Sequence, residues 1–212
     1  VDTGIDATHP DRGNIAGQAS FTGEPVSPDP GQHGTHVAGT IAGRRGSGVG
    51  VSEATLYICK GLNNQGSGSS SGLAQCLTWC GQQGARIVSN SWGGGGPDPI
   101  INDAVTRLAA QGIAVVIAAG NEARGSLSWP AALSASNANV YAVSSSDESN
   151  RKSSFSNYGP GTKYIAPGSN IISNKPGGGT QPMSGTSMAT PGIAGAMAYC
   201  IALGKAANCL RT

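Results

Sequence analysis

An α/β fold is what this sequence predicts: a mostly parallel sheet with helices on both faces. Short apolar runs recur along the chain and alternate with segments of helical, amphipathic pattern. Strand–helix–strand repetition favours parallel pairing, because the returning chain must cross over a face of the sheet. The 212 residues are enough for one domain with a substantial core. With 34 glycines and only 11% charged residues, the chain is expected to be compact and rich in tight turns.

The elements follow in order. His33 opens a short helix running to about Ala42. Residues 43–50, GRRGSGVG, read as a flexible turn and do not complete a dinucleotide fingerprint. Thr55 to Cys59 is a buried strand. Ser71 to Gln82 is a helix that a preceding serine cluster can cap. Arg86 to Ser89 is the next strand, and the GGGG at 93–96 separates it from another helix, Asp98 to Ala110. There Asp98 is the expected cap, Pro99 a first-turn proline and Gly112 the stop. Ile101, Ala104, Val105 and Leu108 fall on one face of it. Ala114 to Ala119 and Val140 to Ser144 are further strands, and Ser187 opens a longer helix to about Leu203. In such sheets functional groups gather beyond the carboxyl ends of the strands, where Asn121 falls.

Composition excludes several classes. The net charge is +2 and no Lys/Arg-rich run occurs, so nucleic acid is not expected as a partner. No apolar stretch reaches the roughly 18 residues of a membrane helix, so no membrane partner is expected either. G-x-S-x-G, Walker, HExxH and N-glycosylation patterns are all absent from the sequence. Five cysteines leave at least one unpaired within the chain. Cys76 and Cys80, four apart on a helix, are poorly placed to bridge each other and read as buried thiols.

Three segments carry the chemistry. VDTGID holds Asp2, HGTHVAGTIAG holds His33 and GTSMATPGIAG holds Ser187. An acid, an imidazole and a hydroxyl are what nucleophilic attack on a carbonyl requires. A serine hydroxyl is a weak nucleophile until a base takes its proton. An imidazole with a neighbouring carboxylate is that base. Chemistry alone does not choose between His33 and His36.

DTGI, HGTHVAGT, AAGN at Asn121 and GTSMATP resemble the four signature blocks of the subtilisin-like serine proteases. SSFSNYG at Ser153 to Gly159 and the helix ending in LGK resemble the proteinase K branch. The likeness runs from Val1 to about Cys209 and implies the three-layer subtilisin-like fold. It selects His33 over His36, makes Asp2, His33 and Ser187 the triad, and makes Asn121 the side-chain donor to the oxyanion. Ser91, Trp92 and Gly93 would form one rim of the substrate groove, and Gly66, Ser67 and Gly68 the other. Ala118, Ala119 and Gly120 would line the primary specificity pocket, whose small uncharged walls suit an apolar or aromatic residue. Trp92 stands where many relatives have Leu, which implies a narrower outer subsite.

The resemblance further implies a secreted, extracellular endopeptidase made as a zymogen. It would be a monomer acting on protein and peptide substrates, with its own propeptide as a partner and no catalytic cofactor. A catalytically inactive homologue acting as a binding module is the alternative. Residues 1–212 would be one catalytic domain, a core fragment lacking the strand that leads to Asp2 and some C-terminal elements. Lys163 falls where a calcium-binding Asp lies in the proteinase K branch. That structural calcium site is therefore expected to be absent, and no metal ligands are assigned. Cys209 matches a disulfide cysteine of that branch, but its usual partner position is Tyr141 here; Cys200 and Cys59 are the alternatives.

Overall fold

The computed structural model describes residues 1–43 and 49–210; most of the glycine-rich turn expected at 43–50 lies outside the described residues. Its elements are β1 (Asn14–Ser20), α1 (His33–Ala42), β2 (Thr55–Lys60), α2 (Ser70–Gln82), β3 (Ile87–Asn90), α3 (Pro99–Ala110), β4 (Ala114–Ala118), β5 (Val140–Ser146), β6 (Thr162–Pro167), β7 (Ile171–Asn174), β8 (Thr180–Met183) and α4 (Thr186–Ala202). A short 3-10 turn at Ala131–Ala135 leads into β5. Strands β3, β4, β5 and β6 pair in that order, all parallel. β1 and β2 form a second parallel pair, and β7 with β8 an antiparallel hairpin.

Helices cover both faces, as the alternation in sequence requires. β4 is fully buried, and successive side chains point to opposite sides. Val115 and Ile117 join the core under α2 and α3, with Leu73, Leu77, Val105 and Leu108. Val116 faces the other way and packs with Ala189, Ala194 and Met197 of α4. The helix starts follow local chemistry. Ser69 accepts from the Gly72 N–H at the head of α2, and Asp98 accepts from the Ile100 and Ile101 N–H groups at the head of α3.

The segment carrying Asp2 runs between the two parallel sheets. Asp2 bridges Lys60 in parallel register, and its N–H donates to the Cys59 carbonyl at 3.0 Å. The Val1 backbone nitrogen donates to Ser89 O on the β3 side at 2.9 Å. Behind this segment lies an apolar cavity of about 370 Å³ between β2 and β3, floored by Val37, Ala38 and Ala194.

Cys76 corrects one expectation. It is not a free thiol but is bonded to Cys59, which ties β2 to α2. The spacing argument concerned only Cys76 and Cys80, and those two indeed do not bridge; the partner comes from a neighbouring strand. Closing a loop of this length is worth about 3 kcal/mol. Cys200 pairs with Cys209, and Cys80 is left as a buried thiol.

Candidate active site

The site gathers where α1 and α4 begin and where β3 and β4 end. His33 is the first residue of α1, and its Nδ1 lies 2.7 Å from Asp2 Oδ1. The Thr3 N–H donates to the same oxygen at 2.7 Å. Burial opposes ionisation of Asp2, but the neighbouring His33 and the Thr3 N–H outweigh it and hold the carboxyl below its ordinary range. In return the Asp2 charge lifts His33 above the ordinary 6.5, against the effect of burial. His36 turns away from this pair. Its Nε2 reaches the Ile171 and Gln181 carbonyls at 2.9 and 3.1 Å, so it secures the β7–β8 hairpin to α1.

Ser187 sits in the first turn of α4, where unpaired backbone N–H groups favour negative charge. Its Oγ donates to the Ser91 carbonyl at 2.9 Å, and Ser91 Oγ donates back to the Ser187 carbonyl at 2.8 Å. Ser187 and His33 line one cleft of about 410 Å³ without a hydrogen bond between them in this conformation. Asn121 also lines it. Its Oδ1 accepts from the Thr186 N–H at 2.8 Å and from Thr186 Oγ1 at 3.0 Å, which leaves the amide nitrogen as the end available to the cleft.

The substrate-binding candidates divide. Ser91, Trp92, Gly93, Gly66, Ala118 and Gly120 line the cleft. Trp92 is half-buried and packs on the α2–α3 core as well. Ser67, Gly68 and Ala119 are not among the residues that line the cleft; Ser67 and Gly68 are exposed next to Gly66, and Ala119 is buried between Ala118 and Gly120. The Ser67 N–H is taken by Asn63 Oδ1, and a side chain at Gly68 would meet the Gly61 carbonyl. Ala119 is fully buried, with its N–H on the Val143 carbonyl. Gly120, at φ 109°, admits no side chain, because a Cβ there would lie 2.2 Å from Ser128 Oγ. Asn64, Gln65, Glu122, Ser128 and Met183 line the cleft without having been singled out from sequence. Glu122 accepts from Asn157 Nδ2 at 2.6 Å and from Ser128 Oγ at 2.9 Å. Burial works against its ionisation, and these bonds hold its carboxyl below the ordinary range. A lone Glu in AAGNE carries no sign of a partner 35 residues away.

Away from the cleft, Lys163 Nζ donates to three backbone carbonyls, Asn137 at 2.6 Å, Ala138 at 3.0 Å and Val140 at 2.7 Å. It also lies 5.0 Å from the centre of the Tyr141 ring. No cluster of three or more acidic, His or Cys side chains suited to a metal occurs among the described residues.

A parallel sheet with an imidazole–carboxylate pair and a helix-borne serine at its carboxyl edge defines a serine hydrolase of α/β architecture. The chain belongs to the subtilase family of serine peptidases, whose model matches residues 1–207. It is 46% identical to Subtilisin Savinase of Lederbergia lenta over 203 residues, covering 93% of this chain and 73% of that protein. It is 47% identical to an alkaline protease of Alkalihalobacillus alcalophilus, again over 93% of this chain but 52% of that one. The fold matches the crystal structure of a cold-adapted subtilisin-like serine proteinase with a TM-score of 0.87 at 33% identity, over 96% of this chain and 74% of the other. Fungal subtilisin-like proteases stand among the relatives at 39% identity, so the likeness defines the family rather than a branch of it.

Proposed function

We propose that the chain is an endopeptidase that cleaves through an acyl-enzyme formed on Ser187. The observation that carries this is the 2.7 Å contact of His33 with Asp2 inside the cleft that also holds Ser187 and Asn121. An extended substrate would pair with the cleft rims through its backbone. Released from the Ser91 carbonyl, Ser187 Oγ would be free to meet His33 Nε2 across the cleft that both residues line. Oγ then attacks the scissile carbonyl carbon as its proton passes to Nε2. The oxyanion takes hydrogen bonds from Asn121 Nδ2 and the Ser187 N–H. When the C–N bond breaks, Nε2 returns the proton to the leaving amine. Water repeats the sequence on the acyl-enzyme and frees Ser187. The small Ala118 and Gly120 walls support a preference for apolar or aromatic side chains before the cleaved bond. Extracellular action, a propeptide and a monomeric state belong to the same reading. The described helices include none long and apolar enough to cross a membrane.

A fluorophosphonate probe tests the assembly. One equivalent is expected to attach to Ser187, with labelling abolished in Ser187→Ala and slowed below the raised titration of His33. A folded chain that takes no label would be the inactive binding homologue instead.

Lys163 supports a second part of the reading: its ammonium fills a cage of carbonyls in place of a structural cation. A calcium ion wants oxygen ligands and is repelled by an ammonium, so the residues present do not fit it. The parent chain is expected to show no thermal shift from calcium at this loop. In Lys163→Asp, calcium at about 100 times its Kd should stabilise by about 2.7 kcal/mol, seen as a rise in Tm. Calcium bound by the parent and lost on Lys163→Ala in calorimetric titration would refute the assignment.

A further inference from the structure

Asp29 is a charged side chain with no exposed surface and no role in the chemistry above. It lies in the loop before α1, four residues ahead of His33. Its Oδ1 accepts from Thr3 Oγ1 at 2.7 Å. Its Oδ2 accepts from the Thr35 N–H at 2.8 Å and from Thr35 Oγ1 at 2.6 Å. It takes three hydrogen bonds and gives none, the pattern of a carboxylate. No ion pair of Asp29 is found among the described residues, and these three donors are the groups that hold its side chain.

The partners are not arbitrary. Thr3 follows Asp2, and its N–H holds Asp2 Oδ1. Thr35 is in the first turn of the helix that His33 opens. The Thr3 hydroxyl, which donates to Asp29, also accepts from the Gly34 N–H at 2.9 Å. The two segments touch so closely that a Cβ at Gly34 would lie 2.2 Å from the Gly4 carbonyl. Both oxygens of Asp29 are satisfied, and a buried carboxylate bonded at both oxygens holds its partners to one geometry.

We propose that Asp29 is a positioning residue of the triad, clamping the segment that bears Asp2 to the helix that bears His33. The inference rests on the proteolytic reading of the same site. Asp2 is the other anion against His33, and the Asp29 charge adds to its effect in raising the imidazole above its ordinary value. His36, on the same helix, is depressed by burial. Lys60 is occupied by the Thr3 carbonyl at 2.6 Å and by Glu24 at 3.2 Å, and Glu122 lines the cleft with its carboxylate on Ser128 and Asn157.

The test is Asp29→Asn in the whole chain, with rates expressed per site titrated by fluorophosphonate so that unfolded molecules do not count. An asparagine that sets its NH₂ against the Thr35 N–H loses that end of the clamp, one that sets it toward Thr3 reverses the donor of that bond, and either removes the charge. Turnover is expected to fall about tenfold with KM little changed, since a small displacement of a reacting group is costly. The acidic limb of kcat/KM should move to lower pH, because removing a negative charge weakens proton binding by His33. A merely structural role would lower the titrated fraction and leave the limb in place. An unmoved limb overturns the proposal. If Asp29→Asn does not fold, Thr3→Ala decides: it cuts the tether and should lower kcat several-fold, with Thr3→Ser restoring the rate. An unchanged kcat in Thr3→Ala overturns the proposal. Failure of the parent chain to label or cleave would count against the proteolytic reading itself, a separate result.

Discussion

Asp2→Asn is expected to lower turnover by about 10⁴-fold, the size of loss known for the buried acid of a serine-protease triad. Asp2 Oδ1 takes both the Thr3 N–H and His33 Nδ1, while Oδ2 is buried without a hydrogen-bond partner. An asparagine that keeps its oxygen toward Thr3 and His33 leaves its NH₂ in that unpartnered position. One that flips sets NH₂ against the Thr3 N–H and removes the acceptor that fixes the imidazole tautomer. In neither orientation does a negative charge face the imidazolium that must form when Ser187 is deprotonated. KM should change little, because Asp2 lies behind His33 rather than on the substrate. The His33 titration should also fall, moving the acidic limb to lower pH, since the Asp2 charge is the main cause of its elevation. Steady-state kinetics within tenfold of the parent would remove Asp2 from the mechanism.

The second large effect is at Asn121. Asn121→Ala is expected to cost a factor of about 10² to 10³ in kcat, the known magnitude for a lost oxyanion donor of this kind. The side chain has two tasks at opposite ends. Its oxygen satisfies the Thr186 N–H and hydroxyl at the start of α4, and on the proposed mechanism its nitrogen would serve the oxyanion. Alanine abolishes both and should therefore also lower stability, by about 1 kcal/mol. Asn121→Asp separates the tasks. It keeps an acceptor for Thr186 but offers a carboxylate where the oxyanion forms, so Tm should recover while turnover stays low. Recovery of turnover together with Tm would show that Asn121 acts only through the helix start.

What the sequence made legible follows from how each part is held. β4 and the first half of β5, Val140 to Val143, are continuous apolar runs because both faces of those strands are covered. β1 was not legible: it pairs only with β2, alternates between exposed and half-buried, and carries small residues such as Ala16, Gly17 and Ala19. The β7–β8 hairpin mixes polar and apolar residues and is half exposed, and His36 holds it by reaching two of its carbonyls across more than 130 residues of chain. Asp2, His33, Asn121 and Ser187 were legible because each stands in a short block whose neighbours shape the local turn. Asp29 and Glu122 were not, since their partners Thr3, Thr35 and Asn157 become neighbours only on folding.

The Cys59–Cys76 bond encloses the stretch that supplies one rim of the cleft. A peptidase in solution meets other copies of itself, and an exposed glycine-rich turn such as 65–68 is an inviting place to be clipped. Here a single clip between the two cysteines does not part the chain: both new ends stay joined through sulfur, and β2 and α2 keep their neighbours. A clip at the rim would thereby leave a scar rather than sever the chain, and a thiol reductant would decide whether nicked molecules hold together.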